Sequence, residues 1–574
     1  MILQALYEYY QRKAANTEGK IAPEGWEWKE IPFLVVIDKE GKFLRINDTR
    51  QINGNKKRAN VFLVPQGEKR TTGIKPFLLW DNIEYALGAN PRNRKDVHER
   101  FDAFKKRILN AKINHCDIKA IVKFLDSQPS DQIKKSNSSS ESWKEMLESN
   151  PFVSFKIEGS DFQTICDVLP KEKKEFSIDE NVQKSICSVT GEISNIARLH
   201  SSIKGVRGTN TQGASIVSFN LPAFNSYGKK QSYNSPVSEK VAFAYSTALN
   251  MLLGKDSQNK ISIADTTVLF WSQKQSEKYD FEADFRWYFK TDKADPEKGV
   301  KAVKNLYEAL HSGKLPLDEG NRFYVLGLAP NSARISVRFW KTGAIRDFAE
   351  KIKQHFEDFE MKLEHNEPEY QRYMPLLKIL SATAFDYKMD NVPPNLAGQV
   401  VVSILEGTPY PQTLLQQCIR RIRAEQQVTR VRAAILKAYI NRFNKFYKKP
   451  EKEVLMSLDR SNINTAYRLG RLFAVLEKIQ EEANPKINAT IRDRFYGAVS
   501  ATPITVFPQL LKLKNHHLAK LNPGRKVNFE KEIGEIFDAL KDDLPSHLTL
   551  DEQARFAVGY YHERQDYFTK KDKQ

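Results

Sequence analysis

The hydrophobic pattern of this chain changes character at the tetrapeptide VPPN, residues 392–395. Before it, short apolar runs typical of strands, such as IPFLVVID at 31–38 and TTVLFWSQ at 266–273, alternate with helical segments. After it, apolar residues recur only at the three- and four-residue spacing of helices. We therefore predict an α+β protein, with a mixed α/β region that contains antiparallel sheet at 1–395 and an all-α bundle of about six helices at 400–574.

Local signals place individual elements within the first region. Residues 1–14 have the pattern of an amphipathic helix, and two β-hairpins are predicted, one from IPFLVVID with KFLRIND and one from RFYVLGLAP with ARISVRFWKTG. Residues 127–142, SQPSDQIKKSNSSSES, are polar and Ser-rich. We predict an exposed loop or linker there, and a possible subdivision of the 1–395 region.

A long loop at residues 199–239 is the candidate functional segment. Its glycines, at 205, 208, 213 and 228, permit positive φ or close approach of a ligand. Its amide side chains can pair with base edges and its cations with phosphates. We single out as base-contact candidates Asn220, Asn225, Tyr227, Gln231 and Asn234, and as phosphate-contact candidates Lys204, Arg207, Lys229 and Lys230. A surface loop whose amides cap its own turns is the alternative.

The charge balance indicates the kind of partner. The 574 residues carry a net charge of +19, and the pI is near 9.4, which favours a polyanion. A membrane surface is the competing partner, but mean hydropathy is −0.55 and no apolar run approaches the ~18 residues of a spanning helix. The four cysteines form no CxxC pair, so free thiols in a reducing cytoplasm are expected.

Further basic clusters lie outside the long loop. Two predicted loops near the N-terminus add phosphate-contact candidates, with solvation as the alternative for each: Lys56, Lys57 and Arg58 in one, and Lys69 and Arg70 in the other. Between Arg420 and Lys449 there are ten basic residues and one acid, Glu425. We interpret this helical face as too one-signed for internal ion pairs, and predict a track for a nucleic-acid strand rather than a merely solvated face. The strand-tracking candidates are Arg420, Arg421, Arg423, Arg430, Arg432 and Lys437.

Motifs of common enzymes and metal sites are missing from the sequence. Gly228-Lys229 has Ala223 where a phosphate-binding P-loop needs its first glycine, and neither HExxH nor GxSxG occurs. Cys187 and His200, thirteen residues apart, supply too few ligands for a zinc site. We therefore predict no catalytic residues, no metal and no cofactor, although an unfamiliar nuclease site would escape such motifs.

Six segments, taken together, resemble the large subunit of type I-C CRISPR surveillance (Cascade) complexes. They are VPQGEKRTTGIKPFLLWDNIEYALG, CSVTGEISNIARLHSSIKGVRGTNTQGASIVSFN, PAFNSYGKKQSYNSPVSE, RLGRLFAVLEKIQ, SATPITVFPQLLKLKNHHLAKL and QARFAVGYYHERQ, in the family's order. The resemblance implies a non-enzymatic subunit of an RNA-guided complex that recognises the protospacer-adjacent motif (PAM) in double-stranded DNA, helps to open the duplex and steadies the displaced strand. It also implies a cytoplasmic protein of antiviral defence.

The resemblance also implies partners and a second product. The expected partners are crRNA, PAM-containing target DNA, the backbone, crRNA-processing and small subunits of Cascade, and a helicase-nuclease recruited in trans. The C-terminal bundle is similar to the small subunit, which the family also makes by internal translation. Met456 is the candidate internal start, and would give a product of 119 residues. A nuclease acting on guide or target, and a purely structural scaffold for crRNA assembly, remain the alternative functions.

Overall fold

The computed structural model divides the chain into two compact units. The first comprises Met1–Lys204 and Gln212–Met251, and the second Gly205–Thr211 and Leu252–Gln574. The structure describes residues 1–568 except 17–20, 54–55, 68–69, 71–72, 138–139, 171–182, 211, 276–278, 291–294, 296, 313, 316–319, 364–366, 539 and 541–543.

The first unit is built around a four-stranded mixed sheet. In chain order its elements are α1 (Ile2–Ala15), β1 (Trp26–Glu30), β2 (Phe33–Ile37), β3 (Phe43–Asp48), β4 (Gln51–Asn53), β5 (Lys56–Arg58), β6 (Val61–Pro65), β7 (Trp80–Asn82), α2 (Ile83–Ala86), α3 (Val97–Asn110), α4 (Cys116–Asp126), α5 (Pro129–Asn137), α6 (Glu141–Ser149), β8 (Phe152–Ile157), β9 (Lys184–Ile186), β10 (Ile193–Asn195) and α7 (Glu239–Leu252). The sheet order is β3-β2-β8-β7, with β2 and β8 parallel and the other pairs antiparallel. All five residues of β2 are buried, which explains its unbroken apolar sequence FLVVI.

Two predictions for this unit are corrected by the structure. The polar segment 127–142, predicted as a loop or linker, contains α5 and the start of α6. Ile133 in α5 is fully buried, and the Gln132 side chain accepts a hydrogen bond from the backbone N–H of Phe43, so one apolar anchor and one amide tie this helix to the sheet. The basic segment near residue 56, predicted as a loop, forms the antiparallel pair of β4 and β5.

The second unit combines an antiparallel sheet with helices. Its elements are β11 (Lys260–Ile263), β12 (Thr266–Ser272), α8 (Phe281–Phe289), α9 (Glu297–His311), β13 (Arg322–Asn331), β14 (Arg334–Ala344), α10 (Ile345–Phe359), α11 (Leu376–Ala382), α12 (Leu396–Glu406), α13 (Gln412–Glu425), α14 (Arg430–Phe446), α15 (Thr465–Ala483), α16 (Ile491–Val499), α17 (Pro503–Leu518), α18 (Pro523–Asp538) and α19 (Leu550–Phe568). The four strands pair in chain order, which confirms the predicted hairpin of β13 and β14.

One apolar core runs through the whole of this unit, from Ile261 in β11 to Tyr561 in α19. The predicted domain boundary at residues 392–395 lies inside the unit, between α11 and α12. That the parts on either side of it fold separately stays a prediction. The antiparallel sheets before that position and the series of helices after it confirm the predicted α+β class.

Helices α15 and α19 pack backbone against backbone through two glycines. A Cβ added at Gly470 would lie 2.0 Å from the carbonyl oxygen of Phe556, and one added at Gly559 would lie 2.1 Å from the carbonyl oxygen of Tyr467. No other residue type fits either position without moving a helix. Within the part of the chain that the structure describes, none of these helices combines the length and apolarity that crossing a membrane requires.

Candidate nucleic-acid interface

Part of the long loop belongs to the first unit, and hydrogen bonds of its backbone hold this part at both ends. Ile203 and Ala214 exchange backbone hydrogen bonds, each of 2.9 Å. Gly213 makes this close approach possible, because it has a φ of +88° and an added Cβ would lie 2.7 Å from the carbonyl oxygen of Ile203. At the other end, the backbone N–H of Ser238 donates to Cys187 Sγ at 3.3 Å. These hydrogen bonds anchor the loop to the rest of the first unit.

The two residues considered as zinc ligands have other partners. Burial alone would raise the pKa of the Cys187 thiol, but hydrogen bonds from backbone N–H groups, that of Ser238 foremost, lower it to about 7. His200 Nδ1 lies 2.6 Å from the hydroxyl of Tyr245. One group of potential metal ligands exists in the described ranges, at 115–117, but His115 Nδ1 accepts the hydrogen bond from the backbone N–H of Asp117 and so caps α4.

The tip of the loop is a tight turn at residues 226–229. Lys229 N–H donates to the carbonyl oxygen of Ser226 at 2.9 Å, and both central residues have positive φ, +50° at Tyr227 and +71° at Gly228. Two positive φ values are typical of a type I′ hairpin turn. The Tyr227 side chain is 97% exposed, and the space around Gly228 is open. The fold therefore presents an aromatic ring to solvent on a tight, hydrogen-bonded turn.

Asn234 holds this turn in place. Its Oδ1 accepts a hydrogen bond from the backbone N–H of Ser226 at 2.9 Å, and its Nδ2 donates to the carbonyl oxygens of Lys229 and Gln231 at 3.0 and 2.9 Å. Both amide donors are therefore used within the loop. We predicted that Asn234 contacts a base edge, but the structure gives it a positioning role, the behaviour of the alternative in which amides cap their own turns.

Arg198 is a member of this surface that sequence reasoning missed. Its guanidinium donates to Gln231 Oε1 at 3.0 Å, so the carbonyl end of that predicted base-contact amide is occupied. Arg198, Lys229 and Lys230 are exposed, and residues 193–238 include no acid. Of the remaining candidates, Asn225 and Asn220 are exposed. The tip thus carries one aromatic ring, amide groups and exposed positive charge, which suits contact with a nucleic acid.

Two further lysines of the first unit are Lys204, a phosphate-contact candidate, and Lys29, which sequence reasoning missed. Lys204 is exposed, and its backbone N–H donates to Asn250 Oδ1 at 2.8 Å. Lys29 in β1 lies 4.1 Å from the ring centroid of Phe152. Burial lowers the pKa of Lys29, and the positive charge of Lys204 lowers it further. The carboxylate of Glu27 opposes this shift more strongly than Lys204 adds to it, so Lys29 already has an anionic neighbour, and the exposed Lys204 stays the phosphate-contact candidate here.

The other candidates of the first unit differ in availability. Arg70 is held within the protein: it pairs with the buried Asp81, donates from Nε to the carbonyl oxygen of Lys75 at 2.8 Å and lies over Phe77. It therefore supports the fold, and its predicted phosphate contact is corrected. Lys57 is exposed, and Arg58 Nε lies 3.7 Å from a carboxylate oxygen of Glu30. Lys69 and the side chain of Lys56 lie outside the described residues.

Arg207, predicted to belong to the same loop, is part of the second unit. Its guanidinium donates to the carbonyl oxygen of Ala264 at 3.0 Å and lies 3.4 Å from Asp390 Oδ1. The side chain is still half exposed, so a phosphate could replace the exposed Asp390 as its partner.

The basic helices α13 and α14 give the largest correction. The premise that they lack acidic partners is wrong, because Glu425 of the same segment pairs with two of the cations and acids of other segments pair with two more. Arg421 and Arg432 both pair with Glu425, Arg430 pairs with Glu367 at 3.4 Å and Arg442 pairs with Asp358 at 2.5 Å.

Burial also removes most of these cations from any external strand. Arg432 is fully buried, Arg421 and Lys437 are less than a tenth exposed, and burial lowers the pKa of Lys437. These side chains and the largely buried Arg430 act in the core of the helical region, so neither a strand track nor a solvated face describes them. Arg420 and Arg423 are exposed and stay candidates.

The fold and this surface define a basic α+β protein with an exposed cationic and aromatic loop, a class suited to a nucleic-acid partner. The profile of the family described as CRISPR-associated protein (Cas_Csd1) matches residues 6–568. The chain therefore belongs to the Csd1 family of CRISPR-associated proteins, which agrees with its resemblance to the large subunit of type I-C Cascade. No curated protein matches it in sequence.

Proposed function

We propose that this chain is the non-catalytic large subunit of a type I-C CRISPR RNA-guided DNA surveillance complex in the cytoplasm. It recognises the PAM in double-stranded DNA, helps to unwind the duplex, stabilises the R-loop and helps to recruit the helicase-nuclease. Its partners are crRNA, target DNA and the backbone, crRNA-processing and small subunits. In such a complex base pairing with the guide reads most of the target, so the protein needs only a small reading surface and many backbone contacts.

The single observation that carries this proposal is the turn at 226–229. Tyr227 is 97% exposed although its ring is large and apolar, and the Asn234 side chain braces the turn beneath it. An exposed aromatic ring on a braced, acid-free tip is suited to stacking on a base that leaves the duplex, or to entering a base step.

We assign different contacts to the loop residues according to their exposure and their hydrogen bonds. Asn225 and Asn220, which are exposed, contact base edges. Lys229, Lys230 and Arg198 contact the flanking phosphates, which fix register and contribute the salt-dependent part of the affinity. Asn234 contacts no DNA and positions the tip.

A binding selection tests PAM recognition without knowledge of the PAM letters. The reconstituted complex is incubated with duplexes that carry one target sequence beside a randomised flank, and the bound duplexes are sequenced. We expect the wild-type complex to enrich one short motif, and the complex with Asn225→Ala or Tyr227→Ala to lose that enrichment. If the wild-type complex enriches no motif, the chain acts as the structural scaffold that is its alternative function.

The non-catalytic part of the proposal has its own test. We expect labelled crRNA and target DNA to stay intact when incubated with the purified chain, with and without divalent metal. Cleavage that follows the chain through purification would contradict the proposal and favour the nuclease alternative.

We also propose that translation from Met456 yields a separate small subunit of 119 residues. The position suits this because Met456 precedes α15, so the helix pair joined through Gly470 and Gly559 lies wholly within the shorter product. Cells that express the C-terminally tagged gene should show two bands, and Met456→Leu should remove the smaller band only. A single full-length band in cells that express the unaltered gene would contradict this proposal.

A further inference from the structure

A small aromatic pocket lies in the second unit, between α8, α9, α10 and the segment before α11. Its volume is about 150 Å³, and its lining includes Trp287, Tyr288, Phe356 and Tyr373. The ring centroid of Phe356 lies 5.7 Å from that of Tyr373 and 6.3 Å from that of Tyr288. The proposed function uses none of these residues.

The walls of the pocket are fixed by packing and hydrogen bonds. Tyr288 and Phe356 are almost fully buried. The hydroxyl of Tyr288 lies 2.8 Å from that of Tyr279, which donates to Asp284 at 3.0 Å. A ring that enters the pocket therefore meets preformed surfaces and orders few side chains, which lowers the entropic cost of binding.

Four cations line the pocket or lie beside one of its rings. Lys290 and Lys378 line it and are exposed, and Arg286 and Lys298 lie over the Trp287 ring at 4.8 and 5.3 Å from its centroid. Partial burial lowers the pKa of Lys378, and the charge of Arg430 lowers it further.

Two acids on the segment beside the pocket are paired with other cations. Glu367 pairs with Arg430 at 3.4 Å and Glu369 with Lys304 at 3.5 Å. A ligand with a flat ring and an adjacent negative charge thus meets aromatic walls and cations together.

The size of the pocket narrows the choice of ligand. A cavity of about 150 Å³ holds one benzene-sized ring, whereas pockets for whole drug-sized ligands have about 300–1,000 Å³. We propose that this pocket binds one pyrimidine base of a single-stranded nucleic acid, with Lys290 and Lys378 on the flanking phosphates. This inference deepens the proposed function, on which it rests, because an R-loop contains an unpaired strand.

Gly299 in α9 allows a test that leaves the aromatic walls intact. It lines the pocket, and a Cβ added there would lie 3.6 Å from the nearest atom, the carbonyl oxygen of Trp287, which is ordinary contact. Gly299→Leu therefore adds a side chain at the pocket without a backbone clash and improves helix propensity. Gly299→Ala is the matched control, because it adds only the Cβ.

The measurement is fluorescence anisotropy of the full-length chain with a labelled oligothymidine strand, and with the same backbone bearing abasic sites. For the wild type and Gly299→Ala we expect about tenfold tighter binding of the strand with bases, since stacking contributes roughly 1–3 kcal/mol per base. Gly299→Leu should lose most of this preference for bases, and any preference that remains should disappear when Tyr227→Ala is added, because Tyr227 is the other proposed stacking ring. Lys290→Ala and Lys378→Ala should weaken both strands, whereas Lys526→Ala, an exposed lysine of α18, should not.

Two outcomes would overturn the proposal. In the first, Gly299→Leu retains the full preference for bases while its thermal melting matches that of Gly299→Ala. In the second, free thymidine monophosphate binds tightly and loses binding in Gly299→Leu, while strand binding is unchanged, so that the pocket serves a mononucleotide. The PAM selection is the separate readout: a Gly299→Leu complex that still enriches the motif shows that failure of the pocket leaves the proposed function standing.

Discussion

Asn234 Oδ1 accepts a hydrogen bond from the backbone N–H of Ser226 at 2.9 Å and thereby ties the end of the long loop to its tip. With the two bonds that Nδ2 donates, one side chain braces the turn that presents Tyr227. Asn234, which we predicted from the sequence to contact a base edge, thus stabilises the conformation of the loop.

We predict that Asn234→Ala loosens the tip without unfolding the protein. Three hydrogen bonds of roughly 0.5–1.5 kcal/mol each are lost, and they are confined to an exposed segment. Limited trypsin digestion should cleave after Lys229 or Lys230 several-fold faster than in the wild type. Asn234→Asp keeps the acceptor for Ser226 and should give an intermediate rate. Equal rates in all three proteins would contradict the positioning role.

A second prediction separates the buried from the exposed cations. Arg432→Ala removes a fully buried guanidinium that donates to the carbonyl oxygens of Ala382 and Gln427 at 3.1 Å and pairs with Glu425. Urea denaturation should show a loss of about 3–5 kcal/mol. Arg423→Ala, on the exposed side of α13, should leave stability within about 0.5 kcal/mol.

Buried and exposed cations should also differ in their effect on DNA binding. For the complex, Lys230→Ala should lower the slope of log affinity against log salt by about one, because one phosphate contact is lost. Complexes of Arg432→Ala that still assemble should keep the wild-type slope. A reduced slope for Arg432→Ala would restore the strand-tracking role that its burial argues against.

The predicted strands and helices succeeded where the information is local. The hairpin of β13 and β14 follows from two apolar runs beside Asn331 and Ser332, and α1 from the amphipathic pattern of residues 1–14. The ion-pair partners of a helix face cannot be predicted from local sequence, because they can lie far away in the chain. Arg442, for example, pairs with Asp358, which is 84 residues away. A window that shows ten cations and one acid therefore says little about which cations are buried.

The same limit applies to the candidate site. The glycine in Tyr227-Gly228 predicts a turn, and an exposed aromatic residue beside it was within reach of sequence reasoning. The role of Asn234 depends on which of several amides reaches Ser226, and the position of Lys29 near Lys204 joins β1 to a loop far along the chain. Tertiary structure decides both.

Helix packing gives a third prediction. Gly470→Ala should destabilise the protein by about 3 kcal/mol or more, because the new methyl group would overlap the carbonyl oxygen of Phe556 in α19. Gly534→Ala in α18 is the matched control, since the space around Gly534 is open, and it should stabilise by up to ~1 kcal/mol. Thermal melting of both variants measures the difference, and similar melting temperatures would contradict the close approach of α15 and α19.

A fourth prediction concerns acid stability. Burial, and to a smaller extent the charge of Lys437, lowers the pKa of His562 from 6.5 to about 3. Between these pH values the unfolded chain binds a proton that the folded chain does not bind at His562, so stability must fall as the pH is lowered. The contribution of this group approaches about 1.4 kcal/mol per pH unit.

His562→Gln removes this contribution. We expect the free energy of unfolding in urea, measured between about pH 6 and pH 4, to decrease less steeply for the variant than for the wild type. Only the slopes are compared, because loss of the contact between His562 Nδ1 and the Tyr467 hydroxyl, 3.0 Å apart, also changes stability at every pH. Parallel slopes would mean that His562 is protonated in the folded protein.

The central claim is that the braced tip meets DNA beside the PAM, and photo-crosslinking from position 227 tests it most directly. A benzophenone side chain replaces Tyr227, and as a control Phe568, which is 61% exposed at the end of α19. The account predicts that position 227 crosslinks to nucleotides within the PAM or its immediate flank, only on duplexes that carry the selected motif, and that position 568 does not. Crosslinks from position 227 that are absent, or that ignore the motif, would contradict it.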